Sequence, residues 1–302
     1  MFKKIFYIVL IGFIALVFYM LISVLCSGKV TKKDTLNVNN SMPQTIIIDL
    51  ENNNFIDCEE YIKGALYQEF EDIKPNEEVL KALSIIIRTH IYKVRENVNK
   101  DIITKTECGY EYNKNYTQEY SKIVDSTKSN VILYNTQLID AFYCMCSGGV
   151  TKDGVENLKS EEYGYLKSVE VKEDCEAQGY LTLVYYKKDE LRELIKDRFN
   201  IDLGEDYTSD MIDMSNMCSS GYVKNIKINN YIIDSEEFAK AVGLMSTCIY
   251  IEEFNGGIRM ISKGIGHGYG LSIVGADAMA DKGKNYEEIL HYFYKDIIIS
   301  EQ

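Results

Sequence analysis

Hydrophobic and polar positions follow a helical period most clearly in residues 75–95, "PNEEVLKALSIIIRTHIYKVR". Apolar side chains recur there at i, i+4, i+7, i+8 and i+12, which puts them on one face of a helix. Asn76 stands at the expected N-cap, and two glutamates follow it in the first turn. The pattern predicts an amphipathic helix, and residues 61–70, "YIKGALYQEF", predict a short helix or turn before it.

Beyond residue 118 the pattern changes to short segments of helix and strand. A polar helix precedes the predicted strands "NVILYN" and "QLIDAFYCMC", and further strands are predicted in "GYLKSVEV" and "GYLTLVYY". Hairpins are predicted about Asn229 and Asn255, with helices in "KKDELRELIKDRF", "DSEEFAKAVG" and residues 284–296. Because helices and strands are segregated rather than alternating, the predicted fold class is α+β.

Residues 5–26, "IFYIVLIGFIALVFYMLISVLC", are apolar almost throughout and carry no charge. About 20 such residues span a bilayer, and no small-residue cleavage site follows, so an uncleaved anchor is predicted rather than a signal peptide. The predicted order is a cytoplasmic stub and transmembrane helix in residues 1–28, a linker in residues 29–50, and one extracytoplasmic domain in residues 51–302. That domain is long enough for two lobes that form a groove.

The composition limits the classes of partner. A formal net charge of −13 argues against nucleic acid, which requires a basic surface, and is compatible with a neutral or weakly charged polymer. Seven of the eight cysteines lie outside the apolar run, and an odd number cannot form a complete set of disulfides. One or two bridges, or free thiols throughout, remain open at this point.

Four glycines alternate with other residues in "GIGHGYGLS", residues 264–272. The stretch holds His267, one of three histidines in the chain, shortly before a helix-like run. Glycine in an extended segment marks a bulge or the close approach of a ligand or another backbone. The spacing is not that of a dinucleotide-binding fingerprint, so a ligand groove and a strand packed tightly on a helix both remain open.

Five blocks follow one another in a recognisable order: "YIKGALYQEF" with "EEVLKALSIIIRTH", "YNTQLIDAFYCMCSGGVT", "YGYLKSVEVKED", "FAKAVGLMST" and "GIGHGYGLSIVGADAMADKGKNYEEIL". Together they span residues 55–297, and their order and spacing resemble those of the stage II sporulation protein D family. The resemblance implies a membrane-anchored lytic transglycosylase. Such an enzyme cleaves the MurNAc–GlcNAc linkage of peptidoglycan, with a 1,6-anhydro product, during engulfment of the forespore.

Glu69 is the catalytic residue that the resemblance implies, because "YIKGALYQEF" matches a family motif with this glutamate, and Phe70 replaces the usual methionine. A lytic transglycosylase needs one carboxyl group, which protonates the glycosidic oxygen and then accepts the proton of the sugar's C6 hydroxyl. Leu66, Tyr67 and Phe70 are expected to give the apolar setting that keeps this acid protonated. From the residues alone, Glu69 would be one solvated glutamate among many.

The resemblance also carries substrate-binding roles to other positions. Lys81 and Arg88 lie seven residues apart on one helix face, where Arg88 either binds substrate oxygens or serves within the fold. Tyr165 and Lys167 are expected on one face of a strand that forms a groove wall. The full predicted set of substrate-binding residues is Lys81, Arg88, Tyr143, Ser147, Tyr165, Lys167, Asp174, His267 and Ser272.

Several positions depart from the family pattern. Cys144 and Cys146 stand where histidine and serine-type residues are common, and some relatives bind zinc near the active site. Thiolates of Cys108, Cys144 and Cys146 would suit zinc, but the cysteine–histidine cluster that would complete the site is missing, so no metal or other cofactor is predicted. Met245 and Ile273 replace an arginine and a glutamine, so two polar groove residues are lost.

The predicted partners are peptidoglycan glycan strands, with an engulfment amidase and membrane proteins of the same machinery as further candidates. The main alternative is a non-catalytic protein on the same fold that binds peptidoglycan or modifies an amidase. A cysteine nucleophile served by His267 is a rival chemistry, which the order of motifs does not support.

Residues 5–26 are expected to hold the protein in the membrane without cleavage. External protease applied to whole cells should then remove the large domain and leave the N-terminal stub with the cells. Immunoblots against both parts measure this. A shortened, soluble protein in the medium would contradict the anchor and leave the catalytic prediction untouched.

Overall fold

The structure is a computed structural model that describes residues 47–50, 54–100 and 102–302. These residues belong to the unit Thr45–Gln302, and the predicted anchor lies outside them. Within this described part, no helix combines the length and the apolar character that a membrane span needs. The elements form a mixed α+β fold, which confirms the predicted fold class.

The helices of the described residues are α1 Cys58–Phe70, α2 Glu77–Val98, α3 Lys105–Cys108, α4 Gln118–Ser126, α5 Gly154–Leu158, α6 Lys188–Phe199, α7 Ser235–Ala241, α8 Ile273–Asp281 and α9 Tyr286–Phe293. The strands are β1 Ile47–Asp49, β2 Phe55–Asp57, β3 Ile102–Thr104, β4 Asn130–Tyr134, β5 Gln137–Leu138, β6 Tyr143–Cys144, β7 Leu181–Lys187, β8 Ile212–Asp213, β9 Asn225–Ile228, β10 Tyr231–Asp234, β11 Ile249–Phe254, β12 Gly257–Lys263, β13 Leu271–Ser272 and β14 Ile298–Glu301. Short 3-10 turns lie at Glu161–Tyr163, Lys172–Glu176 and Ser209–Met211.

Helices α1 and α2 form the centre of a first hydrophobic core. The carboxylate of Asp57 caps α1 by accepting a backbone N–H of the first turn at 2.8 Å. Asn76 caps α2 in the same way at 3.1 Å, as predicted, and α2 ends at Asn99 in the left-handed conformation. The apolar face of α2 is buried against α1, α4 and β4, so the helical period identified a core face correctly.

Three small sheets surround these helices. Strand β1, which lies inside the range assigned to the linker, pairs antiparallel with β2 and parallel with β3. Strand β4 lies between β5 and the C-terminal β14, and β6 pairs in parallel with β13. Helices α8 and α9 also pack on α2, so the two ends of the described chain meet in one core.

A second hydrophobic core forms from the middle of the chain. Strands β7, β12 and β11 make an antiparallel sheet with β12 in the centre, and β8, β9 and β10 make another. Helix α6 packs on β7 and β12 and α7 on β9 and β10, with Leu191, Phe238 and Met260 buried between them. The hairpins predicted about Asn229 and Asn255 are both present.

The segment "GYLKSVEV" is not the predicted strand. It lies beside residues 149–154 and is joined to them by one isolated β-bridge and a few separate hydrogen bonds, without a continuous ladder. Tyr165 turns into the first core while Lys167 stays exposed, so the expectation that both side chains share a strand face is wrong. The physical reason is the 3-10 turn before Tyr165, which breaks the extended geometry that alternation requires.

The second predicted strand, "QLIDAFYCMC", is divided into β5 and β6. The Phe142 N–H donates to the Asp140 carbonyl at 3.0 Å, which makes a tight turn between the two pieces. The hydrophobic run alone did not reveal this break.

Arg88 is fully buried and joins three elements of the first core. Its Nε and Nη2 donate to the two carboxylate oxygens of Glu59 at 2.7 Å each, and Nη1 donates to the Asn130 carbonyl at 3.2 Å. Glu59 lies in α1, Arg88 in α2 and Asn130 in β4. Of the two roles left open for Arg88, its contacts support the one within the fold.

Replacement of Arg88 by methionine is expected to cost about 3–5 kcal/mol of unfolding free energy, because Glu59 then becomes an uncompensated charge at a mostly buried place. Urea unfolding followed by circular dichroism measures the change. The double variant with Glu59→Leu should recover most of the loss, since two apolar side chains replace the pair. A loss under about 1 kcal/mol in the single variant would contradict this role.

Candidate active site

Glu69 lies in the last turn of α1 with an exposed side chain. The next residue, Phe70, is buried, and its ring centroid lies 5.9 Å from that of Tyr143. Partial loss of solvent, followed by the negative charge of Glu111, raises the pKa of the Glu69 carboxyl. Of the three expected apolar neighbours, Leu66 and Phe70 are buried in the first core, and Tyr67 is partly buried against it.

The hydroxyl groups of Tyr110 and Tyr143 lie close enough to Glu69 for its charge to affect them, and they share a hydrogen bond. Burial, and then the charge of Glu69, raise the pKa of Tyr143 to about 12. Burial also raises the pKa of Tyr110, with Glu69 among the further contributors. Both hydroxyl groups therefore stay protonated near neutral pH and can donate hydrogen bonds.

His267 lies on the other side of Tyr143. The Tyr269 N–H donates to its Nδ1 at 3.0 Å, and the ring also bonds to the Tyr143 backbone carbonyl. Because Nδ1 accepts, the proton resides on Nε2. Burial, and then the charge of Lys152, lower the pKa of His267 to about 4. The imidazole is therefore neutral and held by both nitrogens.

The glycines of residues 264–272 allow this loop to lie against its neighbours. Gly270 has φ +67°, and a Cβ there would come 2.0 Å from the Phe142 carbonyl oxygen. Gly268 has φ +78°, and its Cβ would come 2.5 Å from the Tyr222 ring. Only glycine fits both the left-handed backbone and the space. The close approach of other protein segments explains the motif.

Asp174 joins the loop after β6 to the start of α8. Its Oδ2 accepts the backbone N–H and the hydroxyl of Ser147 at 2.6 Å each, and its Oδ1 accepts the Ser272 hydroxyl at 2.5 Å. Ser272 also caps α8 by accepting the Gly275 N–H at 3.2 Å. All three predicted binding residues are fully buried. Their contacts hold the site together, and direct contact with a ligand stays a prediction.

Comparison with known proteins decides the family. The model of the stage II sporulation protein family matches residues 49–134. A protein of Brachyspira hyodysenteriae is 30% identical over 257 residues, which cover 82% of this chain and 67% of that protein. Stage II sporulation protein D of Bacillus subtilis is 26% identical over 268 residues, covering 82% of this chain and 75% of the relative. The chain belongs to the stage II sporulation protein D family.

This result confirms the resemblance drawn from the five sequence blocks. A more distant similarity, 25% identity over 265 residues, links 72% of the chain to 37% of the amidase enhancer of Bacillus subtilis. Together the relatives support a role in sporulation and at the cell wall.

The two cations predicted on α2 have partners other than Glu69. Lys81 forms ion pairs with Glu77 and Glu78, both at 2.7 Å. Arg88 binds Glu59, as described above. Lys81 and Arg88 both lie in α2, as expected. Their ion pairs are with Glu77, Glu78 and Glu59, and none of these contacts is with Glu69.

Tyr165 and Lys167 also have partners other than Glu69. The Tyr165 hydroxyl accepts the Asp140 N–H at 3.1 Å and donates to the Asp140 carbonyl at 3.0 Å. Lys167 pairs with Asp153 at 3.7 Å. Tyr165 borders a cavity of about 690 Å³ that also includes Tyr134 and Asp140.

The cysteines that distinguish this family member are buried. Burial, and then the charge of Asp174, raise the pKa of Cys146 to about 11 and also raise that of Cys144. Cys108 lies elsewhere, beside Tyr61. In the described ranges no three His, Cys, Asp or Glu side chains are grouped to hold a metal ion. The raised thiol pKa of Cys144 disfavours the rival in which it acts as a nucleophile.

The two substituted groove positions differ in their surroundings. Met245 is 51% exposed and lines a cavity of about 480 Å³ together with Ile265 and His267. Ile273 is buried in the first core at the start of α8. In this family member, therefore, the change at 245 alters a cavity wall, whereas the change at 273 adds an apolar side chain to the core.

Sequence reasoning missed Tyr110, Glu111 and Lys152. The first two lie in the tyrosine-rich segment "YEYNKNY", whose polar aromatic character was the available signal. Lys152 is almost buried between two tyrosine rings far along the chain, and nothing in its local sequence predicts that.

His267 is expected to make the protein less stable as the pH falls from about 6.5 to about 4. Its pKa in the folded protein is about 4, below the value of about 6.5 in an unfolded chain. Only the unfolded state gains this proton in that interval, so the wild type should lose up to about 1.4 kcal/mol per pH unit relative to His267→Gln. Urea unfolding at several pH values measures the difference.

Nuclear magnetic resonance of the imidazole nitrogens gives an independent check. At pH 6, Nε2 should carry the proton and Nδ1 should not. A ring that titrates near pH 6.5, or the opposite tautomer, would contradict the geometry of His267.

Proposed function

We propose that the protein is a lytic transglycosylase that cleaves peptidoglycan glycan strands, with Glu69 as its catalytic acid and base. The observation that carries the proposal is the carboxyl group of Glu69, whose pKa is raised by partial burial and then by the charge of Glu111. It stands at the position of the family motif where a catalytic glutamate is expected. A single carboxyl group of raised pKa is what this reaction requires.

In the first step, protonated Glu69 donates its proton to the glycosidic oxygen while the bond from that oxygen to C1 breaks. Partial burial, and then the negative charge of Glu111, support this step, because they raise the pKa of Glu69 and keep more of it protonated. The hydroxyl groups of Tyr110 and Tyr143 are protonated donors close enough to feel the charge of Glu69. They are suited to orient the oxygens of the sugar.

In the second step, the Glu69 carboxylate accepts the proton of the C6 hydroxyl as that oxygen bonds to C1. The product is a 1,6-anhydro sugar, and Glu69 returns to its protonated form. Neither water nor an enzyme nucleophile takes part, so no second carboxylate at nucleophile distance is needed.

His267 and Met245 are the proposed borders of the sugar groove beyond Tyr143. The cavity that they line has a volume of about 480 Å³, which is in the range of small-ligand pockets. The neutral imidazole has both nitrogens engaged in backbone hydrogen bonds. His267 is therefore assigned a shaping role and no proton transfer, and buried Ser147, Asp174 and Ser272 are assigned as positioning residues.

The proposed setting is the outer side of a membrane during engulfment, with residues 5–26 as a single-pass anchor. The supporting observations are the apolar run in the sequence and the sporulation proteins among the relatives. Peptidoglycan strands are the proposed partner, with an amidase of the same process as a second one.

A second candidate function is the modification of an amidase without glycan cleavage. It is favoured by the similarity to the amidase enhancer, which extends over 72% of this chain. The change at Met245 fits this candidate too, because an exposed apolar side chain replaces the arginine expected in the groove. The retained Glu69 favours the enzyme.

Glu69→Gln is expected to lower glycan cleavage by roughly two to four orders of magnitude for each proton-transfer role, because the amide cannot give up and regain the proton. Mass spectrometry of purified glycan strands measures the 1,6-anhydro ends. Glu119→Gln, an exposed change of the same kind on α4, is the control and should keep wild-type activity. Reducing ends in place of anhydro ends would indicate a hydrolase.

Glu111→Gln tests the electrostatic contribution to the raised pKa of Glu69, which adds to the larger effect of burial. Activity requires protonated Glu69 at the start, so it should fall as the pH rises through that pKa. Removal of the Glu111 charge lowers the pKa of Glu69 and should move this fall to lower pH. An unchanged pH profile would contradict the coupling between Glu111 and Glu69.

A wild-type protein that cleaves no glycan but activates an amidase would favour the second candidate function.

A further inference from the structure

Lys152 is a cation held almost entirely away from solvent. Its residue is 6% exposed, and its backbone N–H donates to the Gly268 carbonyl at 2.8 Å. The ammonium nitrogen lies 4.8 Å from the ring centroid of Tyr222 and 4.9 Å from that of Tyr269. Two aromatic faces therefore clamp the charge, and cation–π attraction replaces part of its hydration.

The ammonium group of Lys152 has no ion-pair partner among the described residues. Burial lowers the pKa of Lys152, while the carboxylates of Glu236 and Asp234 act in the opposite direction. A buried charge without a hydrogen-bonded counter-charge is costly. A bound anion would remove that cost, so the group is suited to a ligand.

The cavity beside Lys152 has a volume of about 440 Å³ and also contains acidic residues. Glu156 is occupied, because it accepts from the Ser219 hydroxyl at 2.6 Å and pairs with Lys224 at 2.9 Å. Asp234 is also occupied, since it caps α7. Glu236 is exposed and, within the described residues, forms no ion pair. Lys159 also lines the cavity, but it is exposed, so among the described residues Lys152 is the buried cation and Glu236 the unpaired carboxylate that the cavity presents.

We propose that this cavity binds a zwitterionic amino-acid group, whose carboxylate pairs with Lys152 and whose ammonium pairs with Glu236. Tyr222 and Tyr269 flank the carboxylate end and contact the carbon atoms next to it. The lining holds three lysines and three carboxylates, so it has no excess of positive charge for a dianion such as phosphate. The proposal concerns only the carboxylate and the ammonium, so the ligand can be a free amino acid or part of a larger molecule.

Only the assignment of this amino-acid group to the cell wall rests on the proposed function. Diaminopimelate is a diamino acid of wall peptides, and when one end is built into the peptide its other end carries an uncoupled carboxylate and ammonium. Tyr269 and His267 are neighbours in the glycine loop, with ring centroids 5.7 Å apart. A peptide held in the cavity would therefore lie next to the proposed sugar groove.

Calorimetric titration of the full-length protein in detergent tests the proposal with meso-diaminopimelate as the probe. Pimelate, which has the same chain and both carboxylates but no ammonium groups, is the matched probe. Wild type should bind diaminopimelate at least tenfold more tightly than pimelate. Lys152→Met should weaken diaminopimelate binding at least tenfold. Lys172→Met, a change of a 76% exposed lysine side chain, is the control and should bind as wild type does.

Glu236→Gln keeps the proposal falsifiable even if Lys152→Met does not fold, because Glu236 is exposed. This variant should reduce the preference for diaminopimelate over pimelate to near unity. Equal binding of both probes by wild type, unchanged binding in either variant, or no binding of diaminopimelate would overturn the proposal.

Two further measurements distinguish a wall peptide from a free amino acid as the ligand, and test this site separately from the proposed function. A muropeptide with a diaminopimelate residue should bind at least as tightly as the free amino acid if the wall is the source, and more weakly if a free amino acid is. Glu69→Gln should bind both probes normally. If the wild type binds diaminopimelate through Lys152 yet cleaves no glycan, the proposed function fails and this site stands.

Discussion

The buried carboxylate of Asp174 is the contact on which the arrangement of the site depends. It accepts hydrogen bonds from Ser147, after β6, and from Ser272, at the head of α8. Ser272 ends β13, and Ser147 follows β6, the parallel partner strand in which Tyr143 stands opposite Leu271. A carboxylate without solvent must keep its acceptors occupied. The two segments are therefore fixed to each other, and the residues around them inherit that position.

Tyr143 then connects the two sides of the proposed groove. Its ring lies near Phe70 and its hydroxyl group bonds to Tyr110, while its backbone carbonyl bonds to His267. The hydroxyls of Tyr110 and Tyr143 and the imidazole of His267 are all neutral near pH 7. Partial burial, and then the charge of Glu111, raise the pKa of the Glu69 carboxyl. Such surroundings favour transfer of a proton over stabilisation of a full ionic charge.

The sequence predicted the elements whose information is local. Helix α2 has a cap and an unbroken apolar period, and the hairpins at Asn229 and Asn255 have turn residues at their tips, so each could be recognised within a short window. The family blocks added Glu69. The failures occur where distant contacts decide: Tyr165 leaves its expected strand to bond Asp140, and the tyrosines that clamp Lys152 come from remote segments. Burial of Arg88 with Glu59 likewise depends on the packing of two helices.

The path of the chain through two cores has a consequence for the order of folding. Helix α1, with Glu69, belongs to the first core, and the glycine loop with His267 follows only after the whole second core. Contacts between segments so far apart in sequence require closure of long loops, and topologies rich in such contacts fold slowly. During synthesis, the N-terminal helices therefore wait for α8 and α9 to complete their core. Because β6 pairs only with β13 in the described part of the chain, both Tyr143 and the His267 side of the groove reach their final positions only after the second core has been made.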